Sequence, residues 1–127
     1  GHVVGVIPNL FSEDIILSQP VTELVRVASM AERKEYLIAH SDAFVALPGG
    51  IGTIDEVSEV MVGNQLGKAR GHAPTAKPMI ILNINGFYNA FLEQLRHIHD
   101  EGLMRTTGGL VAVDSVPGVL DYLVELV

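Results

Sequence analysis

Apolar positions along the chain follow two rhythms. Short continuous apolar runs, each stopped by Pro, Gly or Asn, alternate with longer stretches in which apolar residues recur every three or four positions. Val3 to Ile7 (Val-Val-Gly-Val-Ile) is a β-branched run ended by Pro8-Asn9, the pattern of a strand buried on both faces. Leu10 to Gln19 mixes apolar and polar residues ahead of Pro20 and predicts a loop with room for a short helical turn. Thr22 to His40 holds no Gly or Pro, and Leu24, Val27, Ala28, Ala31 and Ile38 fall on one side at about 100° per residue, which predicts a helix. On another side of that helix Arg26, Met30, Arg33 and Leu37 would cluster, so that two arginines point in one direction.

Ala43 to Leu47 predicts a second buried strand, ended by a corner with three glycines, and Thr53 to Leu66 the next helix, with Gly67 as the residue that closes it. Lys68 to Pro78 has loop composition over its whole length and reads either as a lid or as a surface insertion. Met79 to Leu82 predicts a third strand, Asn83 to Gly86 a turn, and Phe87 to Glu101 an amphipathic helix stopped by Gly102. Gly109 to Val113 then predicts a short fourth strand and Pro117 to Val127 a last helix with Pro in its first turn. Strands that alternate with helical stretches form βαβ units, so the expected fold is α/β, a parallel sheet with helices on both faces.

Composition narrows the functional classes. A chain of 127 residues with 48% hydrophobic content and a mean hydropathy of +0.35 suits one domain, residues 1–127, with a packed core. The formal net charge of −7 argues against a broad footprint on the phosphate backbone of nucleic acid, so any anion must be held locally. The absence of cysteine excludes disulfides, thiolate chemistry and cysteine-ligated metal, and fits a cytoplasmic location. Apolar runs are too short to cross a bilayer, and no charged segment followed by an apolar one predicts a signal peptide in the chain as given. The histidines show no metal spacing on a helix face, so neither a metal nor another cofactor is expected.

The candidate chemistry gathers at Ala46-Leu47-Pro48-Gly49-Gly50-Ile51-Gly52-Thr53-Ile54-Asp55-Glu56. Glycines before a helix let backbone N–H groups approach a ligand, and the positive helix end favours a phosphate. The alternative is steric, because glycine-rich turns between strand and helix are common for that reason alone. A dinucleotide fingerprint fails, since Asp55 stands where its third glycine belongs, and no Gly-Lys-Ser/Thr follows for a Walker A loop. Thr53 to Glu56 also reads as a capping box, so Glu56 serves as a cap, a catalytic carboxylate or both. Glu56, Glu59 and Val60 would share one side of the helix, which would let two carboxylates face one cleft. Lys34 and Glu35 suit a solvated charged face, whereas Arg33, flanked by Met30 and Leu37, suits a cleft or an interface better.

Pro48-Gly49-Gly50-x-Gly52-Thr53-x-x-Glu56, preceded by Met30-x-x-Arg33-Lys34, resembles the paired signature of the Lonely Guy family, the cytokinin riboside 5′-monophosphate phosphoribohydrolases long labelled lysine decarboxylases. Gly5-Val6-Ile7-Pro8, Ser41-Asp42-Ala43-Phe44, Gln65-Leu66-Gly67, Lys77-Pro78 and Asn85-Gly86-Phe87-Tyr88-Asn89 look like further family landmarks in order. The resemblance implies a Rossmann-like fold and at least a homodimer with active sites at the subunit contact. It also implies hydrolysis of a nucleoside 5′-monophosphate, AMP or an N6-substituted derivative, to free base and ribose 5-phosphate. It places the catalytic pair on Arg33 and Glu56 and substrate binding on Lys34, Gly49, Gly50, Ile51, Gly52, Thr53 and Asp55, with no metal. A non-catalytic nucleotide carrier on the same fold is the second reading. Decarboxylation with pyridoxal phosphate is disfavoured, because Lys34 beside Glu35 has no surroundings that suit a Schiff base.

Three departures follow from the resemblance. Family members carry an N-terminal strand-helix-strand-helix portion with its own glycine-rich loop, and this sequence starts at what would be their third strand. In a 3-2-1-4-5-6 order, the missing strands would lie between the strand at Val3 to Ile7 and that at Ala43 to Leu47. A fragment of a longer chain is the preferred expectation, ahead of a half supplied in trans or a rearranged sheet. The Lys68 to Pro78 connection is longer than in compact members, and Ala31-Glu32 stands where plant members often show histidine, so plant-type specificity is not expected to carry over.

Overall fold

The computed structural model describes residues 1–11, 21–69 and 76–127, with the side chains of Lys68 and Ala69 left aside. The chain divides into two compact units, Gly1–Ser41 and Asp42–Val127.

In the first unit, β1 (Val4–Pro8) pairs in parallel with β2 (Glu23–Val27), with Val4 opposite Glu23 and Pro8 opposite Val27. β1 buries only its C-terminal end, Ile7 and Pro8, while Val4 is exposed. The second strand corrects the helix expected over Thr22 to His40. Glu-Leu-Val-Arg-Val is a short stretch with two β-branched valines, and pairing with β1 satisfies its backbone in a way no helix start before Ser29 would. Val3 and Thr22 close the ladder at its start: the Val3 N–H donates to Thr22 Oγ1 at 2.9 Å, and the Val3 carbonyl accepts from the Thr22 N–H at 2.7 Å.

The helix is only α1 (Met30–Ala39). Ser29 caps it, its hydroxyl accepting from the Glu32 N–H at 3.2 Å, and Glu32 accepts from the Ala28 N–H at 2.7 Å. Ser29-Met30-Ala31-Glu32 thus works as a variant of the capping box, with the carboxylate returning to the residue before the cap, and it sets the start of the helix. Arg26 lies on a strand, so the pair of arginines expected to share a helix face does not exist.

The second unit is built on β3 (Phe44–Ala46), β4 (Met79–Leu82) and β5 (Leu110–Val113), a parallel sheet in the order β3-β4-β5. The central strand is buried at all four positions, as its unbroken Met-Ile-Ile-Leu run requires. α2 (Ile51–Ala69), α3 (Asn89–Asp100) and α4 (Val116–Glu125) complete the unit. Ile80, Leu82 and Val119 form a core to which Val113, Tyr122 and Leu123 add partly buried surface, while α2 contributes Val57, Val60 and Met61.

α2 runs past Gly67, which is not its closing residue. A glycine inside a helix costs about 1 kcal/mol against alanine, a deficit that tertiary anchoring outweighs. Here Asn64 donates to the carbonyls of Lys77 and Gly108 at 2.9 and 2.6 Å and accepts from the Lys77 N–H at 3.1 Å. Gln65 donates to the Thr106 carbonyl at 3.0 Å. Gly109 and Gly108 have φ near +79 and +63, so β5 begins one residue later than expected.

Residues 12–20 and 70–75, which hold most of the loop expected at Leu10 to Gln19 and the middle of Lys68 to Pro78, lie outside the described residues. Among the described residues no helix is long and apolar enough to cross a membrane.

Candidate active site

β3 delivers the chain to the glycine corner. Ala46, paired with Ile81, is its last ladder residue, and Leu47 and Pro48 lead outward into Gly49 and Gly50. The helix then begins at once. α2 starts on Ile51, and the Gly50 carbonyl accepts from the N–H groups of Thr53 at 3.1 Å and Ile54 at 3.3 Å.

This corrects the capping box expected at Thr53 to Glu56. Thr53 is the third residue of the helix, no acid stands in the first turn, and Glu56 lies in the second turn. Gly50 stands in the capping place, which glycine fills well. The Thr53 side chain instead turns back over Gly49, so closely that a Cβ on Gly49 would meet Thr53 Oγ1 at 2.3 Å. Gly49 is needed for that approach, whereas a Cβ on Gly50 or Gly52 would meet nothing within 4 Å. Open space at those two positions suits a ligand against the backbone.

Gly50, Ile51 and Gly52 are exposed, Ile51 at 85%. The N–H groups of Ile51 and Gly52 have no carbonyl one turn back within the helix, and the dipole of a 19-residue helix adds partial positive charge there. Thr53, Ile54 and Glu56 are half-buried and Asp55 is exposed. Val57 and Val60 turn into the core at 1% and 6% exposure and so fix the rotation of the helix. Glu56 and Glu59, three residues apart, lie along the half-buried flank beside them. The corner therefore joins a helix end whose polarity suits an anion to a carboxylate on rigid secondary structure.

Arg33 and Lys34 stand on α1 in the other unit, both half-buried where Glu35 is exposed. The Arg33 backbone N–H donates to the Ser29 carbonyl at 3.1 Å, the first bond of α1, so Arg33 stands in the first turn behind the Ser29 cap. Met30 and Leu37 remain on the Arg33 side of the helix, as the spacing predicts. The structure thus gathers Gly49, Gly50, Ile51, Gly52, Thr53, Asp55 and Glu56 at one corner and pairs Arg33 with Lys34 on a separate helix. Among the described residues no group of three or more His, Asp or Glu side chains could hold a metal ion.

Sequence reasoning missed two side chains that shape the second unit. Tyr88, 2% exposed, donates from its hydroxyl to the Leu47 carbonyl at 2.5 Å. Asn64 ties α2 to the segments that lead into β4 and β5. A polar group on a buried or half-buried side chain is the signal for both, since each must find a partner, but the partner becomes visible only in three dimensions.

Against known proteins, residues 1–123 match the family model described as "possible lysine decarboxylase". Cytokinin riboside 5′-monophosphate phosphoribohydrolase LOG1 of Arabidopsis thaliana is 38% identical over 125 residues, 98% of this chain and 55% of that protein. LOG5 of the same plant is 39% identical over 126 residues, 99% of this chain and 52% of that protein. In Oryza sativa subsp. japonica, the probable phosphoribohydrolase LOGL3 is 35% identical over 128 residues, 99% of this chain and 58% of that protein. The chain spans about half the length of the curated relatives it matches.

Proposed function

Because the chain belongs to the Lonely Guy family, the family of that decarboxylase-labelled model, we propose that it hydrolyses the N-glycosidic bond of a nucleoside 5′-monophosphate. The substrate is AMP or an N6-substituted AMP such as a cytokinin riboside monophosphate, and the products are free base and ribose 5-phosphate. The observation that carries the proposal is the corner itself, where exposed Gly50 to Gly52 open a long helix and Glu56 lies half-buried in its second turn.

In this reading the Gly49 to Thr53 backbone holds the 5′-phosphate by N–H groups and helix dipole, with Asp55 and Lys34 as further substrate contacts. The C1′–N bond breaks as water adds to C1′. The Glu56 carboxylate stabilises the oxocarbenium character at C1′ and takes a proton from the water, which passes to the departing base, by analogy with glycoside hydrolysis. Arg33 supplies charge-assisted hydrogen bonds to the phosphate or to the departing base.

The same reading treats residues 1–127 as part of one domain, in a cytoplasmic homodimer or larger homo-oligomer whose active sites lie at the subunit contact. Light scattering on purified protein tests the oligomer. The activity test is incubation of full-length protein with AMP while adenine release is followed. Wild type is expected to release adenine, and Glu56→Ala and Arg33→Ala to fall by about 10²- to 10⁴-fold. A raised KM in Arg33→Ala places that residue on phosphate, and a lowered kcat places it on the base. No release by wild type, or wild-type rates in both variants, sinks the proposal, and tight binding with intact recovery of AMP indicates a carrier.

A further inference from the structure

The glycine corner is made of residues with little stiffness of their own, yet a phosphate cradle must be held still to work. Something outside the corner must supply that stiffness. β3 makes its last ladder contact at Ala46, so the Leu47 carbonyl falls beyond the sheet. Tyr88 fills that place, donating its hydroxyl to the Leu47 oxygen at 2.5 Å across 41 residues of sequence.

Tyr88 is itself over-determined. It is 2% exposed, its N–H donates to Asn83 Oδ1 at 2.7 Å, and its ring meets those of Phe87 and Phe91 edge-on, with centroids 4.9 and 6.2 Å apart. Asn85 and Gly86, at φ of 52° and 71°, form the left-handed turn that brings it there. The Leu47 carbonyl lies in the plane of the Leu47–Pro48 peptide, and proline fixes the next φ near −65°. Holding that oxygen therefore aims the chain as it enters Gly49 and Gly50.

We propose that Tyr88 is a positioning residue for the nucleotide site, its hydroxyl locking the Leu47–Pro48 peptide so that the Gly49 to Thr53 cradle is preformed. The functional part of this inference rests on the phosphoribohydrolase reading, and the structural part does not.

Tyr88→Phe keeps the ring and removes only the hydroxyl. Ser115→Ala is the control, because it removes the α4 cap, where the Ser115 hydroxyl accepts from the Gly118 N–H at 3.2 Å, and leaves the corner intact. Amide exchange by NMR on full-length wild type and both variants is the first measurement. Loss of one net hydrogen bond is expected to speed exchange at Thr53 and Ile54 by about three- to tenfold in Tyr88→Phe, with Ile80 and Ile81 unchanged. Ser115→Ala should leave Thr53 and Ile54 as in wild type.

The second measurement is AMP kinetics, where Tyr88→Phe is expected to lower kcat/KM by a similar factor, and Ser115→Ala to leave it unchanged. Equal exchange at Thr53 and Ile54 in wild type and Tyr88→Phe overturns the inference, as does equal acceleration by Ser115→Ala. Faster exchange with unchanged kinetics in an active enzyme overturns the positioning role. An inactive wild type sinks the hydrolase reading instead, while the exchange comparison still decides whether Tyr88 holds the corner.

Discussion

Replacing Gly49 by alanine tests whether Thr53 really folds back over the corner. The added Cβ would lie 2.3 Å from Thr53 Oγ1 and 3.1 Å from Thr53 Cβ. The first contact is far inside van der Waals distance, and rotating the Thr53 side chain does not relieve the second. Forcing such an overlap costs about 1–3 kcal/mol. Against this, Gly49 is not among the residues with positive φ, so alanine can adopt its backbone and stabilises by about 0.4–1 kcal/mol through the unfolded state. The net expectation for Gly49→Ala is a loss of roughly 0.5–2 kcal/mol.

The loss should shrink when the nearest atom of the obstacle is removed. In a Thr53→Ala background Oγ1 and Cγ2 are gone and only the 3.1 Å contact with the Cβ of residue 53 remains, so the same substitution is expected to fall within ~1 kcal/mol of neutral. Urea unfolding of wild type, both single variants and the double variant gives the coupling energy, expected at about 0.5–2 kcal/mol. A coupling within ~0.3 kcal/mol of zero, the range of independent sites, would refute the close approach of Thr53 to Gly49 and with it the start of α2 at Ile51.

Two further perturbations probe the framework around the corner. Gly108→Ala combines a φ of +63 with a Cβ 2.9 Å from the Met61 carbonyl oxygen, whereas Gly102→Ala meets only a φ of +75 with nothing within 4 Å. The first is expected to cost about 2–4 kcal/mol and the second about 1–2 in urea unfolding, so similar values for the two would refute the close packing at Met61. Asn64→Ala loses three hydrogen bonds, but Asn64→Asp additionally turns a carboxylate toward the Lys77 and Gly108 carbonyls. Its unfolding free energy should therefore fall below that of Asn64→Ala, by roughly 1 kcal/mol or more, and the opposite order would show that the amide does not donate to those carbonyls.

Much of the α/β framework is readable from local pattern. Met79 to Leu82 is apolar at each position, only four residues long and closed by Asn83, which fits a strand buried on both faces. The apolar face of α3, and a proline in the first turn of α4 behind Ser115, likewise identify helices without knowledge of their partners. The paired motifs around Arg33 and Glu56 are legible for a different reason: they are contiguous in sequence, so no fold is needed to assemble either one.

Other features belong to the tertiary structure. Glu23 to Val27 satisfies a helical pattern as well as a strand pattern over so short a span, and only the backbone of β1 beside it decides for the strand. The glycines before Thr53 permit a helix start at either of two places, and the packing of Val57 and Val60 against the core, with Gly50 accepting the first bonds, selects the earlier. Glu56 is thereby a second-turn carboxylate on the half-buried flank of α2 and not the partner of a capping box. Sequence alone determined which residues are candidates for the chemistry, because residue type and spacing are local properties. How stiffly they are held was decided by the fold, since a hydrogen bond such as that from Tyr88 to Leu47 spans 41 positions and exists only once the chain has closed on itself.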